Sequence, residues 1–161
     1  MCAMSDTVRL TGELEPRDAW KADRCPMAAA LDVVRTKSAM LVLREAFYGA
    51  TRFDEFADRS QLSEPVVAAR LRELVAEGLL ERVEYKEAGQ RTRHGYRLTE
   101  KGADLFPVVA ALMQWGRRWL LDGPRGVQFE HQDCGERVAV EVRCAGGHEV
   151  ATGDLDLVLT R

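Results

Sequence analysis

The stretch SQLSEPVVAARLRELVAEGLLERVEY at residues 60–85 constrains the fold more than any other part of this chain. It spells a capped helix with an abrupt end, followed at once by a strand. Ser63 can accept a hydrogen bond from a free first-turn amide, Glu64 favours the positive helix end, and the donor that Pro65 lacks would be unpaired there in any case. Val67, Leu71 and Leu74 recur at i, i+4 and i+7, and Gly78 falls where a left-handed C-terminal cap is wanted. The result is a helix of about four turns with one buried stripe. Its opposite face carries Pro65, Ala69, Arg72 and Ala76, flanked by Ala68, Arg70 and Glu73. Small side chains let a helix backbone approach a groove floor, and arginines reach phosphates or guanine edges, so this face suits DNA recognition. Taken alone, the same pattern also describes an amphipathic surface helix with solvated charges, and the neighbouring segments decide between the two.

Upstream, residues 36–48 (TKSAMLVLREAFY) form a strongly apolar helix through Met40, Leu41, Leu43 and Phe47, ended by Gly49. A short helix follows at residues 52–59, with Phe53, Phe56 and Ala57 at helical spacing. So few residues separate it from the capped helix that the two make a helix-turn-helix. Downstream of Gly78 the period changes to two: Leu80, Arg82 and Glu84 alternate with Glu81, Val83 and Tyr85, and a second alternating run follows in RHGYRLT. This is a β-hairpin whose tip brings Lys86, Arg91 and Arg93 together against Glu87. Cations at a hairpin tip are often merely solvated, but beside a helix-turn-helix they form a wing placed for phosphate contacts.

Two further helices flank this unit. CPMAAALDVV begins at Cys25 with Pro26 at its first position and Met27, Leu31 and Val34 along one side. A helix N-terminus stabilises thiolate over thiol, which makes Cys25 a candidate sensor of oxidants; the alternative is a buried, silent apolar side chain. From Thr99 a long helix carries Leu105, Val108, Val109, Leu112, Trp115 and Trp119, with Pro107 expected to kink it. Its stripe is wider than a small domain needs, so Met27, Leu31, Leu112, Trp115 and Trp119 are expected to pack across a two-fold axis.

The composition bounds the partners. A net charge of -3 gives no general basic excess, so DNA contacts must come from local patches. No apolar run approaches the length of a membrane span, and the first 20 residues lack the continuous apolar core of a signal peptide, which predicts a cytoplasmic protein with reduced cysteines. Residues 1–23 have no sustained period and are expected to form a flexible arm.

Taken together, CPMAAALDVVRTKSAMLVLREAFYGATRFDEF, LSEPVVAARLRELVAEGLLERVEY, GYRLTEKG and ALMQWG resemble the HxlR-type winged-helix transcriptional regulators of the MarR-like superfamily. The resemblance implies a homodimeric DNA-binding protein with the helix at residues 63–77 in the major groove and the wing on the backbone. It also implies that Cys25 matches a cysteine that senses oxidants or electrophiles in several members. The chain departs from the family at Ala39, where a pattern like GGKW usually places tryptophan and this chain reads Arg35-Thr36-Lys37-Ser38-Ala39. The missing aromatic either leaves room for a small ligand or is filled by another side chain, and dense packing favours filling.

Residues 123–126 read as a linker, and from Gln128 onward seven acids face three arginines, a net charge of -4 that should not touch DNA. RVAVEVR and DLDLVL alternate, which predicts a small sheet of two or three strands. His131-x2-Cys134, then nine residues, then Cys144-x3-His148 offers a tetrahedral zinc site; a metal-free sheet and a Cys134–Cys144 disulfide are the alternatives.

The expected architecture is therefore α+β: a winged helix-turn-helix at residues 24–122 with flanking dimerisation helices, and a small β appendage at 127–161. The function it predicts is a sequence-specific DNA-binding transcriptional regulator, a repressor acting as a homodimer on double-stranded DNA. Its contacts would come from Ser63, Glu64, Pro65, Ala68, Ala69, Arg70, Arg72, Lys86, Arg91 and Arg93, with oxidants or electrophiles acting at Cys25 and a small molecule between the dimer helices as the other class of effector. Apart from structural zinc in the tail, no cofactor is expected. A winged helix used only to bind protein is the principal rival, and a thiol or zinc enzyme the lesser one, because no nucleophile, base and orienting group stand at catalytic spacing.

Overall fold

The stripe read at Val67, Leu71 and Leu74 is the centre of the core. A computed structural model describes residues 7–17, 25–85, 93–123 and 126–159. Their elements are β1 (Arg9–Leu10), α1 (Pro26–Val34), α2 (Lys37–Phe47), α3 (Phe53–Ser60), α4 (Glu64–Ala76), β2 (Leu80–Tyr85), β3 (Arg93–Leu98), α5 (Glu100–Ala103), α6 (Phe106–Trp119) and β4 (Asp156–Leu157). They fall into two compact units, Pro26–Ala139 and the paired end segments Met1–Cys25 and Val140–Arg161.

In the larger unit, α4 buries Val67, Leu71 and Leu74 against Val42 of α2, Phe56 of α3 and the Leu79-Leu80 entry to β2. Its end is a Schellman motif: Leu79 donates to the Leu74 carbonyl at 2.9 Å, Gly78 donates to that of Val75 at 3.0 Å, and Gly78 takes a φ of 71°. Its start differs from the expectation. Ser63 has the extended N-cap backbone, yet its hydroxyl accepts no first-turn amide. Pro65 removes one of the two amides such a cap normally engages. The cap expected of Ser63 is found instead at Thr36, whose Oγ1 accepts the Ala39 amide at 3.1 Å and starts α2. Ala39 itself is buried.

Between α3 and α4, Gln61 adopts a left-handed φ of 57° and turns the chain sharply. The hairpin is antiparallel with Leu80 opposite Leu98 and Tyr85 opposite Arg93. Its inner face meets α3 through Tyr96, whose ring stands edge-on to Phe56 at 5.9 Å. Its outer face carries a cross-strand ion pair, Arg97 to Glu81 at 2.7 Å.

The long helix expected from Thr99 is two helices. α5 ends at Ala103, and α6 begins at Phe106 with Pro107 in its first turn, where the missing donor costs little. Phe106 packs edge-on against Phe47 at 5.4 Å and against Phe129 at 5.0 Å, which docks the start of the following hairpin onto α2 and α6. That hairpin turns at residues 131–135 and closes where Val138 donates to the Phe129 carbonyl at 2.8 Å.

The smaller unit contains a second hairpin, closed by Cys144 donating to His148 and Val150 donating to Val142. The run RVAVEVR is therefore not one strand, as its alternation suggested; it ends one hairpin and begins the next. DLDLVL pairs elsewhere than expected as well. β4 runs parallel to β1, with Arg9 opposite Asp156 and an ion pair between them at 2.6 Å. The segment expected as an arm thus contributes, over residues 7–17, a strand and a buried Leu14. Backbone pairing satisfies donors that a free arm would leave to water.

Candidate nucleic-acid interface

With its apolar stripe locked into the core, α4 presents its remaining faces outward. Ser63, Glu64, Pro65 and Arg72 are exposed, and Ala68, Ala69 and Arg70 are half-buried. Arg72 folds back along its own helix, its Nε donating to the Ala68 carbonyl at 3.2 Å. Arg70 is held more firmly: one guanidinium nitrogen is 2.7 Å from Glu73 and 3.4 Å from the Thr36 hydroxyl, while its Nε is buried with no hydrogen-bond partner. Arg70 thereby ties α4 to the amino end of α2.

That amino end was missed by reading the sequence for its basic face alone. Thr36, Lys37 and Ser38 line an open pocket of about 470 Å³ together with Leu41, Ser60, Gln61 and Leu62. The cap at Thr36 and the lysine after it were the available signals. On the hairpin, Arg93 is exposed at the start of β3. Tyr85, its register partner, carries the Arg52 guanidinium over its ring at 4.9 Å, so two arginines lie at the last strand pair before the hairpin's loop. Lys86 and Arg91 lie outside the described residues.

The other predicted sites are placed as follows. Cys25 is half-buried and directly precedes Pro26. On α1 Met27 is 69% exposed, and on α6 Trp115 and Trp119 are 56% and 63% exposed. Leu31 and Leu112 are also exposed, and Pro107, Val108, Ala111, Leu112 and Trp115 line an apolar pocket. In the tail, His131 Nδ1 is 3.3 Å from Cys134 Sγ in the larger unit, and Cys144 Sγ is 3.5 Å from His148 Nδ1 in the smaller. Each pair supplies two donors, and no group of three or more His, Cys, Asp or Glu suited to a metal is found among the described residues. Cys134 and Cys144 are free thiols.

A helix-turn-helix whose second helix is exposed, followed directly by a two-stranded hairpin, defines a winged helix-turn-helix DNA-binding protein. The HxlR-like helix-turn-helix family model matches residues 33–123, and the chain belongs to that family. An HTH-type transcriptional regulator of Mycobacterium tuberculosis is 41% identical over 117 residues, covering 71% of this chain and 72% of that protein. The solved structure of PA1607, a candidate transcription factor, superposes with a TM-score of 0.76 at 35% identity, over 86% of this chain and 96% of that one. The redox regulator HypR in its oxidized form gives a TM-score of 0.53 at 30% identity, over 64% of this chain and 100% of that one. The chain is a transcriptional regulator of the helix-turn-helix type. No helix among its described residues is long and apolar enough to cross a membrane.

Proposed function

We propose that the protein represses transcription as a homodimer on a pseudo-palindromic operator, with the α4 helices of two copies in successive major grooves and the β2–β3 hairpins on the flanking phosphates. The observation that carries this reading is α4 itself: three large side chains fix one face in the core while Pro65 and Arg72 remain exposed on the other. The apolar side chains left exposed on α1 and α6 support the dimer, since burying each is worth about 1.5–3 kcal/mol. Cys25 is the proposed switch, supported by its place beside the amino end of α1 and by the likeness to a redox regulator. Peroxide would oxidise its thiolate to a sulfenic acid and be reduced to water, altering the start of a dimer helix.

The test is a fluorescence-anisotropy titration of the reduced protein on its own upstream DNA, repeated after mild peroxide or quinone treatment and with Cys25→Ser. Binding that is lost on treatment in the wild type and kept in the variant is the expected result, with derepression of a reporter under the same treatment. Binding indifferent to treatment removes the thiol switch and leaves the operator reading intact. Absence of any sequence-specific binding sinks the operator reading and favours a winged helix that holds another protein.

A further inference from the structure

The carboxyl end of α6 and the hairpin that follows it enclose a pocket of about 440 Å³ lined by Gln114, Arg117, Arg118, Arg137 and Ala139. Three of these five residues are arginines, and none of the three pairs with a carboxylate among the described residues. Arg117 donates to the Val127 carbonyl at 3.5 Å, and the Arg118 guanidinium lies over the Trp119 ring at 4.8 Å. Arg117 and Arg118 by themselves have an ordinary explanation, because cations in a last helical turn offset the negative end of the helix dipole. Arg137 has no such explanation. It comes from the hairpin, opposite Glu130 in the backbone bridge, and it is one of three cations in a segment that is otherwise acidic. The hairpin is held in place by Phe129, which packs on Phe106 at 5.0 Å and on Tyr48 at 6.3 Å, so Arg137 is brought to the helix end by aromatic packing.

We propose that this pocket is a binding site for a small anion that carries at least two negative charges, either as a phosphate monoester or as adjacent carboxylates. Arginines lining one pocket from two segments, with no carboxylate partner among the described residues, repel one another, and a multiply charged oxyanion relieves that repulsion while accepting their forked donors two at a time. The volume exceeds that of bare phosphate and falls in the range of small-molecule sites, which leaves room for an organic body against Ala139 and the arginine stems. The site is separate from α4 and the wing, and it does not depend on how the protein meets DNA.

Calorimetric titration of the full chain with inorganic phosphate, glucose 6-phosphate and citrate, at ionic strength held constant with chloride, tests the site and separates the phosphate from the carboxylate source. Saturable binding of at least one probe is expected. Arg137→Gln should weaken it by about tenfold or more, and Arg117→Gln with Arg137→Gln should abolish it. Arg82→Gln, on the β2–β3 hairpin and not among the residues lining the pocket, should change nothing. Arg137→Lys keeps the charge and removes the fork, so a several-fold loss of affinity in that variant supports the site even if Arg137→Gln folds poorly, and unchanged affinity in it counts against the forked contact. No saturable heat from any probe, or equal affinity in wild type and Arg137→Gln, overturns the proposal. So does a result in which the variants weaken duplex DNA while no small anion binds, since the arginines would then be backbone contacts.

Discussion

Glu55 decides how α3 begins. Its Oε2 accepts the amides of Thr51 and Arg52 at 2.7 and 3.0 Å, and these two bonds, the first most strongly, hold its carboxyl below the ordinary value of 4.5. A pKa lowered in the folded state contributes stability that is complete above the unfolded value and is lost as the pH falls through the lower folded one. The denaturation midpoint of the wild type should therefore drop more steeply than that of Glu55→Gln between about pH 5 and pH 3. Parallel curves would show that the cap does not depend on charge. In the run RFDEFADR the signal is only half present: Glu55 stands three residues after Arg52, but Arg52 is not the serine, threonine, aspartate or asparagine that usually marks a capped start, and the other amide belongs to Thr51, outside the run. Arg70 was legible as a basic residue on the recognition face, but its ties to Glu73 and Thr36 depend on how α4 crosses α2.

Among the elements, α5 and α6 respond oppositely to the same substitution. A Cβ on Gly102 would lie 2.0 Å from the Leu79 carbonyl oxygen and 2.9 Å from its carbon, both backbone atoms that cannot step aside. Gly102→Ala should cost about 1–3 kcal/mol, because α5 can approach the start of β2 only without a side chain there. A Cβ on Gly116 would meet nothing within 4 Å, and Gly116→Ala in α6 should add about 0.5–1 kcal/mol through helix propensity. Urea denaturation of both variants checks the pair: an unchanged or raised midpoint for Gly102→Ala would refute the packing there, and a lowered one for Gly116→Ala would refute the open face of α6. The periodic stripe of α4 and the break at Pro107 were readable because both follow from neighbours within two turns. RVAVEVR was misread because alternation is common to one continuous strand and to two hairpin arms placed end to end. Only the turns on either side, where Gly135 and Gly147 take φ of 71° and 83°, tell them apart.

For the molecule as a whole, the unpartnered faces of α1 and α6 make oligomeric state the measurable quantity. Leu112→Glu with Trp115→Glu places two charges on an apolar surface that is more than half exposed and removes no fully buried side chain, so the folded chain should persist while the proposed dimer does not form. Light scattering should give about twice the chain mass for the wild type and one chain for the variant, with operator affinity falling in step. A variant that stays dimeric would exclude this face. The local parts of the fold were already specified by the order of residues: the stripe and Schellman end of α4, the order of helix, turn, helix and hairpin, and the exposed apolar helix faces. Each rests on interactions within a few residues, where spacing and side-chain type suffice. The tertiary structure alone decided that β4 pairs with β1 across 147 residues, that Phe129 docks its hairpin on α2 and α6, and that Arg137 joins Arg117 and Arg118 around one pocket. Such pairings depend on which distant segments close onto each other when the core forms, and no local pattern encodes that choice.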